Sequence, residues 1–284
     1  MKKTTLFSLC FGVSLAVFHS ASNAQTPLLY YSFEGNSLGA LTDNAAIDNL
    51  RPGADGTFHA GTLGGSATIF NGGVVSGGNL GRSLQFSPAG DGNQNLEAPN
   101  IDTAFNVAAL GITPSTPYTA MAWLNFASTA GDNMIFGQNG AVANGGQVLH
   151  NGSRNGNYHS GHWGDDAGPD QGLNFPTGTG AWHHVAYTND AAGLQQIYVD
   201  GVPQITGGAG TAGAMDLALN LLIGTSNNGG SFSGGVDEIK IYDQLLTQAQ
   251  IQQAAVIPVP EPSSIALIAM SGLAAGFFRR RRHA

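Results

Sequence analysis

The stretch Ala181-Trp182-His183-His184-Val185-Ala186-Tyr187 and the two runs that follow it decide the fold of this chain. Those runs are Gln196-Ile197-Tyr198-Val199-Asp200-Gly201-Val202-Pro203 and Gly234-Gly235-Val236-Asp237-Glu238-Ile239-Lys240-Ile241-Tyr242-Asp243. Each is a short β-branched and aromatic run bounded by Gly, Asp or Pro, which is typical of strands joined by tight turns. Asp200-Gly201 separates two apolar runs and predicts a two-residue hairpin turn, because both residues tolerate the positive φ angles that such a turn needs.

The rest of the chain repeats this pattern of short apolar runs separated by glycine-bearing turns. Further strands are predicted at 28–33, 84–86, 118–126, 134–136, 147–150, 157–162 and 217–223, and residues 101–110 form an edge strand or a loop. Helical periodicity is confined to residues 245–255. Many short strands with almost no helix predict an all-β sandwich.

Six segments in order resemble one known family. W-H-x-V-A, Y-V-D-G and G-x-V-D-E-I-x-I-Y-D lie in the C-terminal half, after Tyr30-Tyr31-Ser32-Phe33-Glu34-Gly35-Asn36, Gly81-Arg82-Ser83-Leu84-Gln85-Phe86 and Ala122-Trp123-Leu124. Together they resemble the LamG-like (concanavalin A-like) jelly-roll domain. The resemblance implies one jelly-roll sandwich over residues 25–256, in which the first and last strands run side by side. It implies little about function, because this fold hosts lectins, lyases, hydrolases and adhesive modules.

The N-terminal 24 residues read as a secretory signal helix. Lys2 and Lys3 precede an apolar run over 6–18, and Ser22-Asn23-Ala24 is a small-x-small cleavage site for signal peptidase. The apolar run is short for a membrane anchor, which makes that alternative weaker. Cys10 is the single cysteine and lies in this segment, so a mature chain beginning at Gln25 has no thiol chemistry.

Residues 257–284 form a second targeting signal. Pro260-Glu261-Pro262 precedes an apolar run over 263–278 and the cluster Arg279-Arg280-Arg281-Arg282. The run predicts a transmembrane helix whose arginines stay in the cytoplasm. The whole segment resembles the PEP-CTERM sorting signal of Gram-negative bacteria. The resemblance implies processing by an exosortase-like enzyme, transient residence in the inner membrane, and delivery to the cell surface or an extracellular polysaccharide matrix.

The charge distribution argues against a nucleic-acid partner. Six of the 10 basic residues and Glu261 lie in the two terminal signals, which leaves 4 basic against 17 acidic residues, or −13, between them. Nucleic-acid binding needs clustered Lys or Arg to neutralise phosphates. An acidic exported domain of this kind is suited to binding cations, and self-repulsion keeps it soluble.

A structural calcium site is predicted where the first and last strands meet. The LamG-like family often carries calcium near this place, and the resemblance carries Glu34, Asn36 and Asp237 over as its ligands. Carboxylate, amide and backbone oxygens are the ligands that Ca²⁺ takes. The alternative is that these are strand-end polar groups bonded to backbone amides.

The segment Asn157–Trp163 and the acidic residues after it form the predicted glycan contact. Aromatic, imidazole and carboxylate groups gather there, and the contact residues are Tyr158, His159, His162, Trp163 and Asp165. A sugar ring offers a C–H face for stacking and hydroxyls that need donors and acceptors. The alternatives are a core strand running into a solvated loop, and a transition-metal site at His159 and His162, which needs a further ligand. His183 and His184 are expected to face opposite ways, one buried and one exposed.

Catalysis has little support in the sequence. The E-x-D-x-x-E pattern of retaining glycosidases of this fold and the H-E-x-x-H pattern of zinc proteases are both missing from the chain. The sequence therefore predicts an exported, non-catalytic sandwich that binds carbohydrate. The alternatives are a secreted polysaccharide lyase or glycoside hydrolase of the same fold, and a purely structural matrix protein.

Overall fold

The computed structural model describes residues 25–61, 65–73, 81–88, 98–128, 130–138, 147–163, 179–209, 217–226 and 230–256. The predicted signal helix, the sorting segment and Asp165 lie outside these residues. Within them no helix is long and apolar enough to cross a bilayer. The described part of the chain contains strands and one short helix, as follows: β1 (Leu29–Tyr31), β2 (Gly39–Ala40), β3 (Ala46–Ile47), β4 (Gly56–His59), β5 (Ser66–Asn71), β6 (Arg82–Ser87), β7 (Asn100–Asn106), β8 (Tyr118–Phe126), β9 (Asp132–Gln138), β10 (Gln147–Arg154), β11 (Asn157–Trp163), β12 (His183–Asn189), β13 (Leu194–Val199), β14 (Val202–Ala209), β15 (Asn220–Ile223), β16 (Gly234–Tyr242) and α1 (Gln248–Ala254).

The strands form two antiparallel sheets, which confirms the predicted sandwich. The first sheet has nine strands in the order β14-β13-β12-β8-β16-β6-β5-β2, with β1 also paired to β16. The second has seven in the order β11-β10-β9-β15-β7-β4-β3. Strand β7, expected as an edge strand or loop, lies inside the second sheet between β15 and β4. Its isoleucine is fully buried there, which explains why the segment is a strand.

The core lies between the two sheets and follows the alternation of each strand. Along β8, for example, Ala120, Ala122 and Leu124 belong to the main core. Opposite them on β12, Val185 and Tyr187 face the same way. The alternate residues lie on the outer face of the first sheet, where α1 covers part of them.

The predicted hairpin turn is confirmed by its backbone angles. Asp200 and Gly201 have φ of 51° and 75°, and Val199 pairs with Val202 across them. Two consecutive positive φ values are those of the tight turn that matches the twist of the flanking strands. The predicted C-terminal helix is shorter than the sequence indicated. It begins after Thr247, whose side chain and that of Gln250 form a reciprocal cap.

The partner of β16 changes along its length. Residues Gly234–Val236 pair with β6, and Ile239–Ile241 pair with β1. Between these segments the register shifts at Asp237 and Glu238, and Glu238 has a φ of 52°. The first and last strands are therefore neighbours, as the family resemblance implied, and a β-bulge lies at the corner where they meet β6.

Candidate functional site

The predicted glycan contact is divided between two faces of β11. Tyr158 is fully buried and packs edge-on against Phe126 of the opposite sheet, with ring centroids 6.2 Å apart. It belongs to the core, so its side chain is not placed to touch a sugar at the surface. His159 is 1% exposed and lies on the other face. The backbones of His162 and Trp163 continue β11, where Trp163 pairs with Gln147.

His159 forms a buried pair with His150 of β10, which the sequence did not indicate. His159 Nε2 lies 3.1 Å from His150 Nδ1, and the two rings meet edge-on. Burial lowers the pKa of His159 to about 3, with a further contribution from the charge of Arg154. Burial also lowers the pKa of His150 well below its usual value. Both imidazoles are neutral at pH 7, and one can donate to the other.

On its inward face, β11 carries a polar bridge between the two sheets. Asn151 Nδ2 donates to Ser160 Oγ at 2.8 Å, and Ser160 Oγ donates to Gln195 Oε1 at 2.8 Å. All three side chains are buried, and Gln195 belongs to β13 of the opposite sheet. A chain of buried hydrogen bonds of this kind joins the two sheets at one edge of the sandwich.

The predicted calcium ligands lie around the corner where β1, β6 and β16 meet. The amide of Arg82 donates to the Glu34 carboxylate at 2.9 Å, and the Arg82 guanidinium donates to the main-chain carbonyls of Glu34 and Asn36. Asn36 Oδ1 is buried and accepts no hydrogen bond within the described residues. Asp237 is 1% exposed and accepts from the Glu238 amide at 2.7 Å.

This corner fits a calcium ion only in part. The main-chain oxygens of Glu34 and Asn36 already accept hydrogen bonds from the positively charged Arg82. Across the described residues, no three His, Cys, Asp or Glu side chains come together as a metal cluster. Asp237 instead faces Gly73 and Ser83, because a Cβ on Gly73 would lie 2.5 Å from its Oδ2 and 2.7 Å from the Ser83 Cβ. The calcium site stays a prediction.

The burial of His183 and His184 differs from the prediction that one is buried and the other exposed. Both are buried, at 8% and 2% exposed, although one was expected at the surface. His183 Nδ1 lies 2.7 Å from Asp200 Oδ2 of the hairpin turn. His184 packs edge-on against Trp123, at 5.6 Å between ring centroids, and burial lowers its pKa to about 4. Alternation places His184 on the outer face of the sheet, and there it lies beside Trp123 of the neighbouring strand.

A polar cluster beside the bulge was also missed by the sequence. Tyr30 donates from its hydroxyl to the Glu238 carboxylate at 2.8 Å. Lys240 Nζ lies 2.6 Å from Glu238 Oε2 and 4.6 Å from the centre of the Tyr30 ring. Burial is the main reason why the pKa of Tyr30 is raised, and Glu238 adds to it. The phenol is therefore a fixed donor, and the cluster ties β1 to β16.

Family models identify the superfamily to which this sandwich belongs. A model of the concanavalin A-like lectin/glucanases superfamily matches residues 90–252, more than half of the chain. The chain belongs to that superfamily. The matched region begins after β6, yet β1 and β6 both pair with β16, so the superfamily fold also includes strands that precede the match. A search of curated protein sequences finds no significant match.

A second family model confirms the sorting signal. The PEP-CTERM protein-sorting motif matches residues 258–282, which include Pro260-Glu261-Pro262 and the four arginines. This motif marks an exported protein that Gram-negative bacteria sort to the cell surface and that an exosortase-type enzyme processes. This member of the superfamily is therefore an exported protein.

Solved structures share the superfamily fold at low sequence identity. Domain 4 of an extracellular arabinanase from Geobacillus stearothermophilus, in complex with arabinotriose, has a TM-score of 0.56 and 19% identity, and the match covers 80% of this chain and 97% of that domain. A botulinum neurotoxin type C structure has a TM-score of 0.51 and 11% identity, with 81% of this chain and 50% of that one covered. A sialidase from Trypanosoma rangeli has a TM-score of 0.48 and 15% identity over 82% of this chain and 33% of the sialidase. The chain thus spans nearly all of the arabinanase domain but only part of the other two.

Proposed function

We propose that this protein serves at the cell surface or in the extracellular matrix as a non-catalytic module that binds carbohydrate. The observation that carries this proposal is the likeness in fold and size to an arabinanase domain whose structure contains arabinotriose. That domain is a separate unit of an enzyme that acts on a polysaccharide. A free-standing sandwich of the same size, delivered to the surface by a sorting signal, is suited to attaching a cell or matrix to a glycan.

The carboxylates of the described residues support a non-catalytic role. Most of them accept hydrogen bonds that hold turns: Asp43 from Ala60, Asp55 from Asn49, Asp102 from Ala104, and Asp190 from Ala192 and Leu194. Glycosidases need one carboxyl group free to give a proton and a second facing the same bond. Because these four carboxylates are bonded to backbone amides, they support the fold, and we assign them no part in catalysis.

Glycan binding is tested with the purified chain from Gln25 to Val256 on an array of neutral and acidic polysaccharides, with calcium and with chelator. We expect binding to neutral glycans and no release of reducing ends or unsaturated uronates from any of them. Release of either product would replace the proposal with a lyase or hydrolase. A blank array together with no product would leave a structural matrix protein.

Processing is tested separately in the native cells. The intact mass of the surface-associated protein should lack the segment after Pro260-Glu261-Pro262 and the first 24 residues. A variant with the Pro-Glu-Pro tripeptide changed to alanines should keep its tail and stay with the inner membrane. A full-length tail on the wild-type surface protein would contradict processing by an exosortase-type enzyme.

A further inference from the structure

Three half-exposed uncharged side chains and one glycine form a row across the outer face of the first sheet. Asn125 of β8 pairs with Gly235 of β16, Gly235 with Gln85 of β6, and Gln85 with Thr68 of β5. Residues paired across strands share a face. The neighbours of these residues along each strand belong to the core; Val236 follows Gly235, and Leu84 precedes Gln85. Because successive residues of a strand face opposite ways, the row lies on the face away from the core. We call these four residues the polar row.

Trp182 lies directly over the glycine of the polar row. A Cβ on Gly235 would come within 2.8 Å of the Trp182 Cη2 and 2.9 Å of its Cζ2. The same position lies 3.6 Å from the Asn125 Cβ, so the indole and the amide are neighbours. Gly235 is buried beneath the ring, whereas Trp182 keeps part of its surface exposed. Glycine is required here because any side chain would displace the indole.

Helix α1 does not cover the part of the first sheet that carries Trp182 and the polar row. On the same outer face, Leu246 and Ile251 cover Met121, Tyr198 and Tyr242 and form a small second core. Met121 lies four residues from Asn125 along β8, and Tyr242 lies seven residues from Gly235 along β16. Trp182, Asn125, Gln85 and Thr68 are all half-exposed, and none of them belongs to the cluster that the helix covers.

The polar row has the chemistry of a sugar-binding platform. Amides and a hydroxyl both donate and accept, which suits the hydroxyls of a sugar, and an indole offers a flat face for its C–H groups. The platform contains no charged side chain, and the chain between the two terminal signals is strongly acidic. An acidic polysaccharide would be repelled by that charge, whereas a neutral one would not.

We propose that the polar row together with Trp182 binds a stretch of neutral oligosaccharide that runs across β8, β16, β6 and β5. This inference rests on the proposed carbohydrate-binding function and assigns it to the first sheet, away from the predicted contact on β11. Strands in a sheet are about 4.8 Å apart, so the row spans roughly 14 Å over three intervals. That length accommodates about three sugar rings, with the one nearest β16 stacked on Trp182.

The test is calorimetric titration of the Gln25–Val256 chain with cellotriose, xylotriose and arabinotriose, and with trigalacturonic acid as the acidic comparison. Wild type should bind at least one neutral trisaccharide and not the acidic one. Trp182→Ala and Gly235→Ala should each weaken that binding at least about tenfold, the first by removing the indole and the second by displacing it. Trp163→Ala on β11 is the matched control and should bind as wild type does.

The outcomes separate this inference from the proposed function. Neutral binding that survives Trp182→Ala and is lost in Trp163→Ala would overturn the platform and keep the carbohydrate-binding function. Binding of trigalacturonic acid in preference to the neutral sugars would also overturn it. If wild type binds none of the probes and none of the array glycans, both proposals fall. Circular dichroism melting of each variant shows whether a loss of binding reflects unfolding. Gln85→Ala changes a half-exposed member of the row. If this variant melts as wild type does and binds more weakly, the loss reflects a missing contact and not unfolding.

Discussion

The Arg82 guanidinium donates to the main-chain carbonyl of Glu34 at 3.0 Å, and in this way β6 holds the turn that follows β1. The same guanidinium reaches the carbonyl of Asn36. Arg82 is one of only four Lys or Arg residues within residues 25–256. It brings a positive charge to the corner for which the sequence predicts calcium.

Arg82→Ala should therefore lower the stability of the sandwich and change its response to calcium. Hydrogen bonds from a charged donor are worth about 1.5–3 kcal/mol, and we expect a loss of about that size in the free energy of unfolding. With the guanidinium gone, the carbonyls of Glu34 and Asn36 are open to a cation. Millimolar calcium should then raise the melting temperature of the variant more than that of wild type.

Differential scanning calorimetry with calcium and with chelator measures both effects. Arg51→Ala is the matched control, since Arg51 Nε makes no hydrogen bond within the described residues. Equal calcium responses in wild type and Arg82→Ala would show that the arginine does not compete for this corner. If Asp237→Asn abolished a calcium response, Asp237 would be confirmed as a ligand.

The buried histidines predict acid sensitivity. Their pKa values are lowered in the folded state because burial disfavours the charged imidazole, to about 3 for His159 and about 4 for His184. The unfolded chain takes up these protons near pH 6.5, so their contribution is fully present above that pH. It is lost progressively as pH falls toward the folded values, by about 1.4 kcal/mol per pH unit for each histidine.

Urea unfolding between about pH 7 and about pH 4 measures this slope. His159→Gln should give a shallower fall in unfolding free energy over that range than wild type does. The carboxylates are common to both proteins and cancel in the difference. Parallel profiles for wild type and variant would show that His159 is not held neutral by the fold.

The hairpin turn at Asp200 combines a backbone requirement with two hydrogen bonds. Its carboxylate accepts from the His184 amide at 3.0 Å and contacts His183 Nδ1 at 2.7 Å. Asp200→Ala should cost about 1–3 kcal/mol, because it removes both contacts and leaves alanine at a φ of 51°. Asp200→Asn should cost less, since asparagine tolerates this conformation and keeps one acceptor.

Chemical denaturation of the two variants measures whether Asp200→Ala loses more stability than Asp200→Asn. Equal losses would mean that only the negative charge matters at this turn. Gly201→Ala gives an independent measure, because its added Cβ would lie 2.8 Å from the Gln252 backbone of α1. We expect that variant to be less stable than wild type and its helix to be displaced from the sheet.

The Asn151–Ser160–Gln195 bridge should make Ser160 important for stability without any direct part in binding. Ser160→Ala removes the hydroxyl that joins two buried amide side chains and leaves them unsatisfied. Such a loss costs about 1–3 kcal/mol, whereas Ser66→Ala, at an exposed position on β5, should change stability by less than about 0.5 kcal/mol. Equal melting temperatures for the two variants would contradict the bridge, and glycan affinity should be unchanged in both.

Local patterns were sufficient to predict most of the fold. Alternating apolar runs predict the strands Tyr118–Phe126 and Gly234–Tyr242, and Asp200-Gly201 predicts a hairpin turn. Both predictions succeed because strand periodicity and turn chemistry depend on only a few neighbouring residues. The same reasoning misplaced Tyr158 as a glycan contact. Alternation shows that Tyr158 and His159 lie on opposite faces, but it does not show which face packs against the other sheet.

The sequence by itself determined the sandwich, the hairpin and the C-terminal sorting signal, since each depends on residues that are close together in the chain. Only the tertiary structure decided which side chains meet. Trp182 over Gly235, Arg82 on Glu34, and His150 beside His159 each join different strands. Their distances depend on strand order, register and the bulge in β16, which arise from the packing of the whole sandwich. For this reason the candidate site could not be predicted from the sequence, although the fold could.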